Sequence, residues 1–463
     1  MKTLRTVALL RQPGRLARLG GFCSLIVLLA ALAGFPQQTG AQMLSDIGYI
    51  GPSHGGLSAP TGEKPESKLW YHGGYWWANL YNSEAQEHRI YRFDPATYEW
   101  IDTGTPLDRR NSTKADILWD EATGKLYVVS HVFSTDAAPT LAESNWGILL
   151  RYSYDPAILR YILDDGFPVY VTKGKSETLT IAKDSTGQLW VAYVESRQVM
   201  FNNSQGDDRL WGEPRVLPVP NAVALSSDDI AAVTSFGGSQ IGIAWSHQRH
   251  SAMYFAVHAD GMPDDVWIQE TIVAQPYFAD DHLNFATDRT GRVFLASKTS
   301  AFRDAPLVVL YVREPGGRWD VYSFGIGYDG HTRPIVVIDE EQERVHMFAA
   351  APETGGLIYH KQSDLNAIAF PPGQGEVVLY NAIDTRLNNV TSTKQNVDLS
   401  TGLLILASGY SNRYFFNYFT LTEPPPVVVP EPAATVLPSP VPGGASATPA
   451  PAHPPAPTAP VLP

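Results

Sequence analysis

Three consecutive residues, Asp280, Asp281 and His282, stand just before the alternating run LNFAT, a DRTGR turn and a second run, VFLASK. Two acids beside a histidine either belong to a site that moves protons or holds a polar ligand, or form the polar lip of a β-hairpin. His331 and Arg333 begin a similar run 49 residues after His282. His282 and His331, before strands of neighbouring units, with Arg333 and Lys298 nearby, would make a mixed-charge cluster able to bind an anionic sugar or to hold a general base beside a charge-neutralising cation. Metal chemistry has less to work with, because the chain has no His-x-x-x-His pair, no acidic loop of EF-hand spacing and a single cysteine, Cys23. No metal or cofactor is therefore expected; a structural Ca²⁺ held by several channel carboxylates is the one ion the residue types would suit. Serine nucleophile chemistry fares worse, since no Gly-x-Ser-x-Gly is expected on a strand-to-helix turn.

The elements that must position these residues repeat along the chain. Seven runs align as the second strand of a hairpin: YWWANLYN from Tyr75, KLYVVSHV from Lys125, QLWVAYVE from Gln188, QIGIAWSH from Gln240, RVFLASKT from Arg292, RVHMFAAA from Arg344 and LLILASGY from Leu403. Their starts lie 50, 63, 52, 52, 52 and 59 residues apart, which leaves room for four short strands in each unit. Seven such units predict an all-β chain, a seven-bladed β-propeller of four-stranded antiparallel blades over residues 42–422. The turn ahead of the aligned runs repeats too, as DEATGK at Asp120, DSTGQ at Asp184, DRTGR at Asp288 and DLSTG at Asp398. Asp accepts hydrogen bonds from turn amides and Gly takes the positive φ that hairpin closure demands, so these residues are expected to be architecture. The last unit runs out of fourth strand at Leu421. The segment MLSDIGYIG from Met43 is expected to supply it and close the ring, which removes exposed strand edges.

The innermost strand of a propeller blade starts at one face of the ring, here called the top, and the Asp-Gly turns fall on the other. Polar residues before first strands and after second strands therefore gather around the channel mouth. On this basis His282, His331 and Arg333 are candidate catalytic residues, and Asp281, Lys298, His247, Arg249 and Glu177 are candidate ligand-binding residues. A scaffold role competes for each of them, because propeller channels are wet and polar whatever the function.

The two ends differ from the repeats. Residues 1–41 carry five basic side chains and no acid, then the apolar run GFCSLIVLLAALAGF and the small residues Thr39-Gly40-Ala41, the pattern of a cleaved export signal. The run is shorter than the roughly 20 residues of a spanning helix, so no stable membrane span is expected after cleavage. Removal would take away Cys23 and leave 29 basic against 47 acidic residues, a net charge of −18. Such a body repels nucleic acid, and with no cysteine it depends on packing alone. From Glu423 to Pro463 the chain is Pro-, Ala-, Ser- and Thr-rich, a composition that cannot build a core and is expected to form a disordered tail. Asn111, Asn202 and Asn389 open N-x-Ser/Thr sequons.

The seven-unit pattern with aromatic blades and Asp-Gly turns resembles the secreted sialidase-like, BNR-repeat propellers across most of residues 43–422. That resemblance implies an arginine grip on a substrate carboxylate, for which Arg249, Arg303, Arg333 and Arg413 are available. The DDH triplet ahead of an inner strand also resembles a motif of some propeller polysaccharide lyases, which implies His282 as the proton-transfer residue and Arg333 as the group neutralising a uronate. The expected function is an exported propeller that binds an extracellular carbohydrate or other polar ligand on its top face. The alternatives are a glycan-degrading hydrolase or lyase, or a protein-interaction scaffold. The expected partner is accordingly an extracellular glycan or protein, bound by a monomer.

Overall fold

A computed structural model of the chain describes residues 45–422 apart from 63, 111 and 136–139. The export signal expected over 1–41, the tail expected from 423 and the sequon at Asn111 lie outside the described residues.

β1 (Tyr49–Ser53) opens the described chain and is used last. The first blade is β2 (Leu69–His72), β3 (Tyr75–Asn82), β4 (Glu87–Asp94) and β5 (Glu99–Asp108); the second is β6 (Thr113–Asp120), β7 (Lys125–Val132), β8 (Ile148–Asp155), β9 (Arg160–Leu163) and β10 (Val169–Tyr170). The third is β11 (Thr180–Lys183), β12 (Leu189–Glu195), β13 (Gln198–Asn203) and β14 (Arg215–Val216); the fourth is β15 (Ala231–Phe236), β16 (Gln240–His247), β17 (Ala252–Ala259) and β18 (Ile268–Ala274). β19 (Leu283–Thr287), β20 (Val293–Lys298), β21 (Pro306–Arg313) and β22 (Trp319–Ile326) make the fifth; β23 (Thr332–Asp339), β24 (Arg344–Ala351), β25 (Leu357–Asp364) and β26 (Glu376–Leu379) make the sixth. The seventh joins β27 (Asn388–Thr391), β28 (Leu403–Ser408) and β29 (Arg413–Phe419) to β1 from the other end of the chain. Every ladder within a blade is antiparallel.

The strand types follow from what each strand touches. Second strands such as β20 are buried along their whole length, because both faces of the blade are covered by neighbouring blades, and they read as continuous apolar runs. The outer strand β22 alternates between partly buried and exposed side chains over its first half and so carries polar residues. The core lies between blades: Phe236, Phe255 and Met253 of the fourth pack against Leu283, Leu295 and Tyr311 of the fifth.

The repeated turns are the structural devices their composition implies. Asp288 Oδ1 accepts hydrogen bonds from the Thr290 amide at 3.0 Å and the Arg292 amide at 2.9 Å, and Gly291 sits at φ 89°. Asp184 does the same for Thr186 and Gln188, both at 2.9 Å, and its other oxygen accepts the Trp190 indole N–H at 2.9 Å.

Ring closure is as the sequence implies, with Tyr49 opposite Phe416 and Ile50 opposite Phe415. The second blade departs from the expected four strands: β9 and β10 both pair with β8, which accounts for the 63-residue spacing of that unit. Inner strands are stitched to one another by side-chain to backbone bonds. Asp116 on β6 accepts the Ser67 and Ile181 amides, each at 2.9 Å; Thr180 accepts the Val233 amide at 2.9 Å, and Asn284 the Val336 amide at 3.1 Å. Asp116 and Asn284 are thus scaffold, since fully buried amides need such partners.

Candidate functional site at the channel mouth

Three inter-blade connections converge above the channel. Glu177 arrives before β11, Asp228 before β15, and Asp280, Asp281 and His282 before β19, bringing one carboxylate oxygen each of Glu177, Asp228 and Asp281 within 4.8 Å of one another. Such crowding requires a cation, and a side chain supplies it. Lys64 donates to Glu177 Oε1 at 2.8 Å and to Asp281 Oδ2, with only 5% of its side chain exposed.

The carboxylates respond unequally. Burial pushes Asp281 up, but the His282 hydrogen bond and charge, together with Lys64, outweigh it and hold Asp281 well below the ordinary carboxylate range. Burial raises Glu177 despite Lys64, and burial and the Asp281 charge raise Asp228. Lys64 is held above its usual value, its two carboxylates overcoming the cost of burial.

His282 is 5% exposed and is fixed by both of its neighbours. Its Nδ1 lies 2.7 Å from Asp280 Oδ1 and 2.6 Å from Asp281 Oδ1, while Nε2 is buried with no hydrogen-bond partner. With carboxylates on Nδ1, the neutral form of the ring keeps its hydrogen there and leaves Nε2 as the lone-pair nitrogen, the tautomer of a general base or a metal ligand. Lys298 stands 3.5 Å from Asp280 and 2.7 Å from Glu353, whose backbone carbonyl accepts from Arg333 Nη1 at 3.5 Å. Arg333 and Lys64 line one cavity of about 10 Å³, enough for a single water.

The structure therefore gathers Glu177, Asp281, His282, Lys298 and Arg333 around one mouth and separates three other candidates from it. His331 is fully buried between blades, its Nε2 donating to the Gln374 carbonyl at 3.0 Å and its ring packed on Phe324 and Tyr359 at 4.9 and 5.7 Å. The candidate set of His282, His331 and Arg333 is corrected accordingly: His331 lies apart from the other two. The cause is a break in register between Thr332 and Ile335, where Arg333 adopts φ 51°: an extra residue at the strand start ends the simple alternation that would give His331 and Arg333 a common side. His247 is also fully buried, stacked on His250 with ring centroids 3.6 Å apart. Arg249 is exposed on the short helix Gln248–His250, and among the described residues no ion pair joins it to the cluster. Of the other arginines, Arg303 lies 5.8 Å from the Phe302 ring centre and Arg413 is exposed at the start of β29, whereas Arg333 lines a cavity with Lys64.

Sequence reasoning missed the segment 54–68, which is not part of any repeat. Glu66 is 2% exposed and holds the segment down. It accepts from His131 Nε2 at 2.9 Å and the Leu179 amide at 3.2 Å, and pairs with Lys68 at 3.2 Å. Burial would raise its pKa, yet Lys68 and His131 bring it down to about 2. Lys114 donates to the Ala59 carbonyl at 2.7 Å from below. Beside this strap a cleft of about 530 Å³ opens between it and the top loops of the seventh blade.

No protein-family model matches the chain, and no curated protein matches its sequence. Solved structures do match. An ulvan lyase bound to -[GlcA(1-4)Rha3S]- superposes with a TM-score of 0.54 at 12% identity, covering 81% of this chain and 96% of that one. A second structure described as a polysaccharide lyase of the same family, also an ulvan lyase, gives 0.53 at 12% identity over 81% and 96%. An α-L-arabinanase of Penicillium chrysogenum, complexed with arabinobiose, gives 0.44 at 11% identity over 70% and 99%. Identities this low speak for the fold alone: a seven-bladed propeller whose structural neighbours include polysaccharide lyases and glycoside hydrolases.

Proposed function

We propose that this chain is an exported carbohydrate-binding propeller whose top-face channel mouth engages an extracellular polysaccharide. The observation that carries the reading is the mouth itself, where Lys64, Glu177, Asp228, Asp281, His282 and Lys298, drawn from several parts of the chain, are concentrated in one polar cluster. Alternating donors and acceptors of this density suit the hydroxyls of a glycan, which offer both. The ulvan lyase of similar fold adds support, since it is bound to a sugar chain.

Cleavage is the second reading, favoured by the bare Nε2 of His282. In a uronate-containing chain His282 would take the proton next to the carboxylate, with Lys298 and Arg333 neutralising the charge that develops. The C4–O bond to the leaving sugar would break as a C4=C5 double bond forms. Glu177, whose pKa burial raises, is the acid available to protonate the leaving oxygen. Hydrolysis through an arginine grip has less support, because Arg333 is the one arginine of its candidate set at the mouth.

The test incubates the full chain with acidic and neutral polysaccharides, measuring retention together with release of reducing and unsaturated ends. Retention without product supports binding alone. Unsaturated ends lost in His282→Ala support cleavage, and failure of every polysaccharide to bind overturns both.

A further inference from the structure

The cleft beside the strap differs in charge from the carboxylate-rich channel mouth. Its walls are strap residues His54 to Pro60, the connection Arg386–Asn389 ahead of β27, and the loop Ser408–Asn412 after β28, and among the described residues no carboxylate lines it. In a chain of net charge −13 that is an unusual surface. Arg386 is exposed, its guanidinium carbon 3.5 Å from the centre of the Tyr410 ring, and no carboxylate pairs with it among the described residues. Asp384, two residues before Arg386, is buried and accepts from the Ser411 amide at 2.6 Å and the Arg386 amide at 3.2 Å. Tyr410 is 71% exposed, so with Arg386 over one face its ring still offers aromatic surface of the kind that sugar rings stack on.

Two polar atoms in the cleft wall lack partners. His54 is 3% exposed, its Nε2 donates to the Gly409 carbonyl at 3.2 Å, and its Nδ1 is buried and unpaired. Asn389 Oδ1 is also buried and unpaired, on a residue held at φ 53° where the register of β27 breaks. Unpaired buried acceptors cost stability unless a ligand hydroxyl satisfies them. Burial lowers the His54 pKa, so near neutral pH its ring is an uncharged acceptor and Arg386 is the charged group of the cleft.

We propose that this cleft is a binding subsite for an anionic sugar unit, one carrying a carboxylate or a sulfate, with Arg386 on the anion, Tyr410 against the ring face, and His54 Nδ1 and Asn389 Oδ1 accepting hydroxyls. Its volume of about 530 Å³ falls in the range of small-ligand pockets. Asn389 also lines the cavity shared by Arg333 and Lys64, so one chain could run from the cleft to the channel mouth. The proposal rests on the reading that the top face binds polysaccharide, and adds to it the class of sugar.

Calorimetric titration of the full chain tests it with three probes: oligogalacturonate, the same oligomer after carboxyl reduction, and a sulfated neutral oligosaccharide. At least one charged probe is expected to bind about tenfold or more tighter than the reduced one, with the affinity falling as salt rises. Arg386→Gln should abolish that preference while leaving the reduced oligomer's affinity unchanged; Arg386→Lys should keep part of it. Equal affinity for charged and reduced oligomers, or a preference that survives Arg386→Gln, overturns the subsite while leaving polysaccharide binding at the mouth intact. Absence of binding by all three probes overturns it together with the reading beneath it.

Discussion

Glu66→Gln probes how the strap is held over the channel mouth. The wild-type carboxylate is buried, paired with Lys68 at 3.2 Å and bonded to His131 at 2.9 Å. Its pKa falls from the ordinary 4.5 to about 2 in the folded chain, and a shift of that size corresponds to about 3 kcal/mol of stability at neutral pH. Removing one partner of a buried pair costs about 3–5 kcal/mol by a separate route, the stranded charge of Lys68. Because the folded pKa is the lower one, the stabilisation is complete above about pH 4.5 and is lost as the pH falls toward 2. Urea unfolding of wild type and variant at pH 7 and pH 3 reads this directly. A gap of about 3 kcal/mol at pH 7 that shrinks at pH 3 is expected. A gap below about 1 kcal/mol at pH 7, or one that does not change with pH, refutes the assignment of Glu66 as the strap's charged anchor.

Other substitutions separate scaffold from site. His331→Phe should fold and retain polysaccharide binding with a loss of about 1 kcal/mol in stability, because only the bond to Gln374 disappears from an otherwise apolar contact; loss of binding in a folded variant would return His331 to the site. Asp184→Ala should lower stability by about 1–3 kcal/mol and leave ligand affinity unchanged, since it unties a turn on the face opposite the mouth, and an affinity change at constant fold would contradict that placement. Deleting residues 45–53 should free the edge of β29 and produce unfolding or higher oligomers in light scattering. A stable monomer would show that β1 is dispensable for closure.

The repeat was legible because second strands are buried on both faces: KLYVVSHV, QIGIAWSH and RVHMFAAA match β7, β16 and β24 end to end. The Asp-Gly turns were legible because their chemistry is local, within four residues. His282 stands directly ahead of β19, whose regular pairing with β20 follows the alternation of the sequence. The burial of His331 left no such trace, because the irregular register at Arg333 depends on tertiary packing and leaves no mark in residue types. Lys64 and Glu66 escaped because they belong to a non-repeating strap, and their partners Glu177, Asp281 and His131 lie between 65 and 217 residues away. Asn202, which reads as a glycosylation sequon, is 1% exposed and donates to the Val171 and Gly212 carbonyls at 3.0 and 2.9 Å, a role that a linear motif cannot report.

The central claim is that ligand binds at the top-face mouth, and the direct measurement is polysaccharide affinity for matched substitutions on the two faces. Asp281→Asn with Lys298→Ala alters the mouth; Arg344→Ala with Asp364→Ala removes a 3.0 Å ion pair on the opposite face. Loss of charged hydrogen bonds predicts a fall of about tenfold or more for the mouth pair and no change for the other. Equal affinities for the two double variants, both folded, would contradict the account.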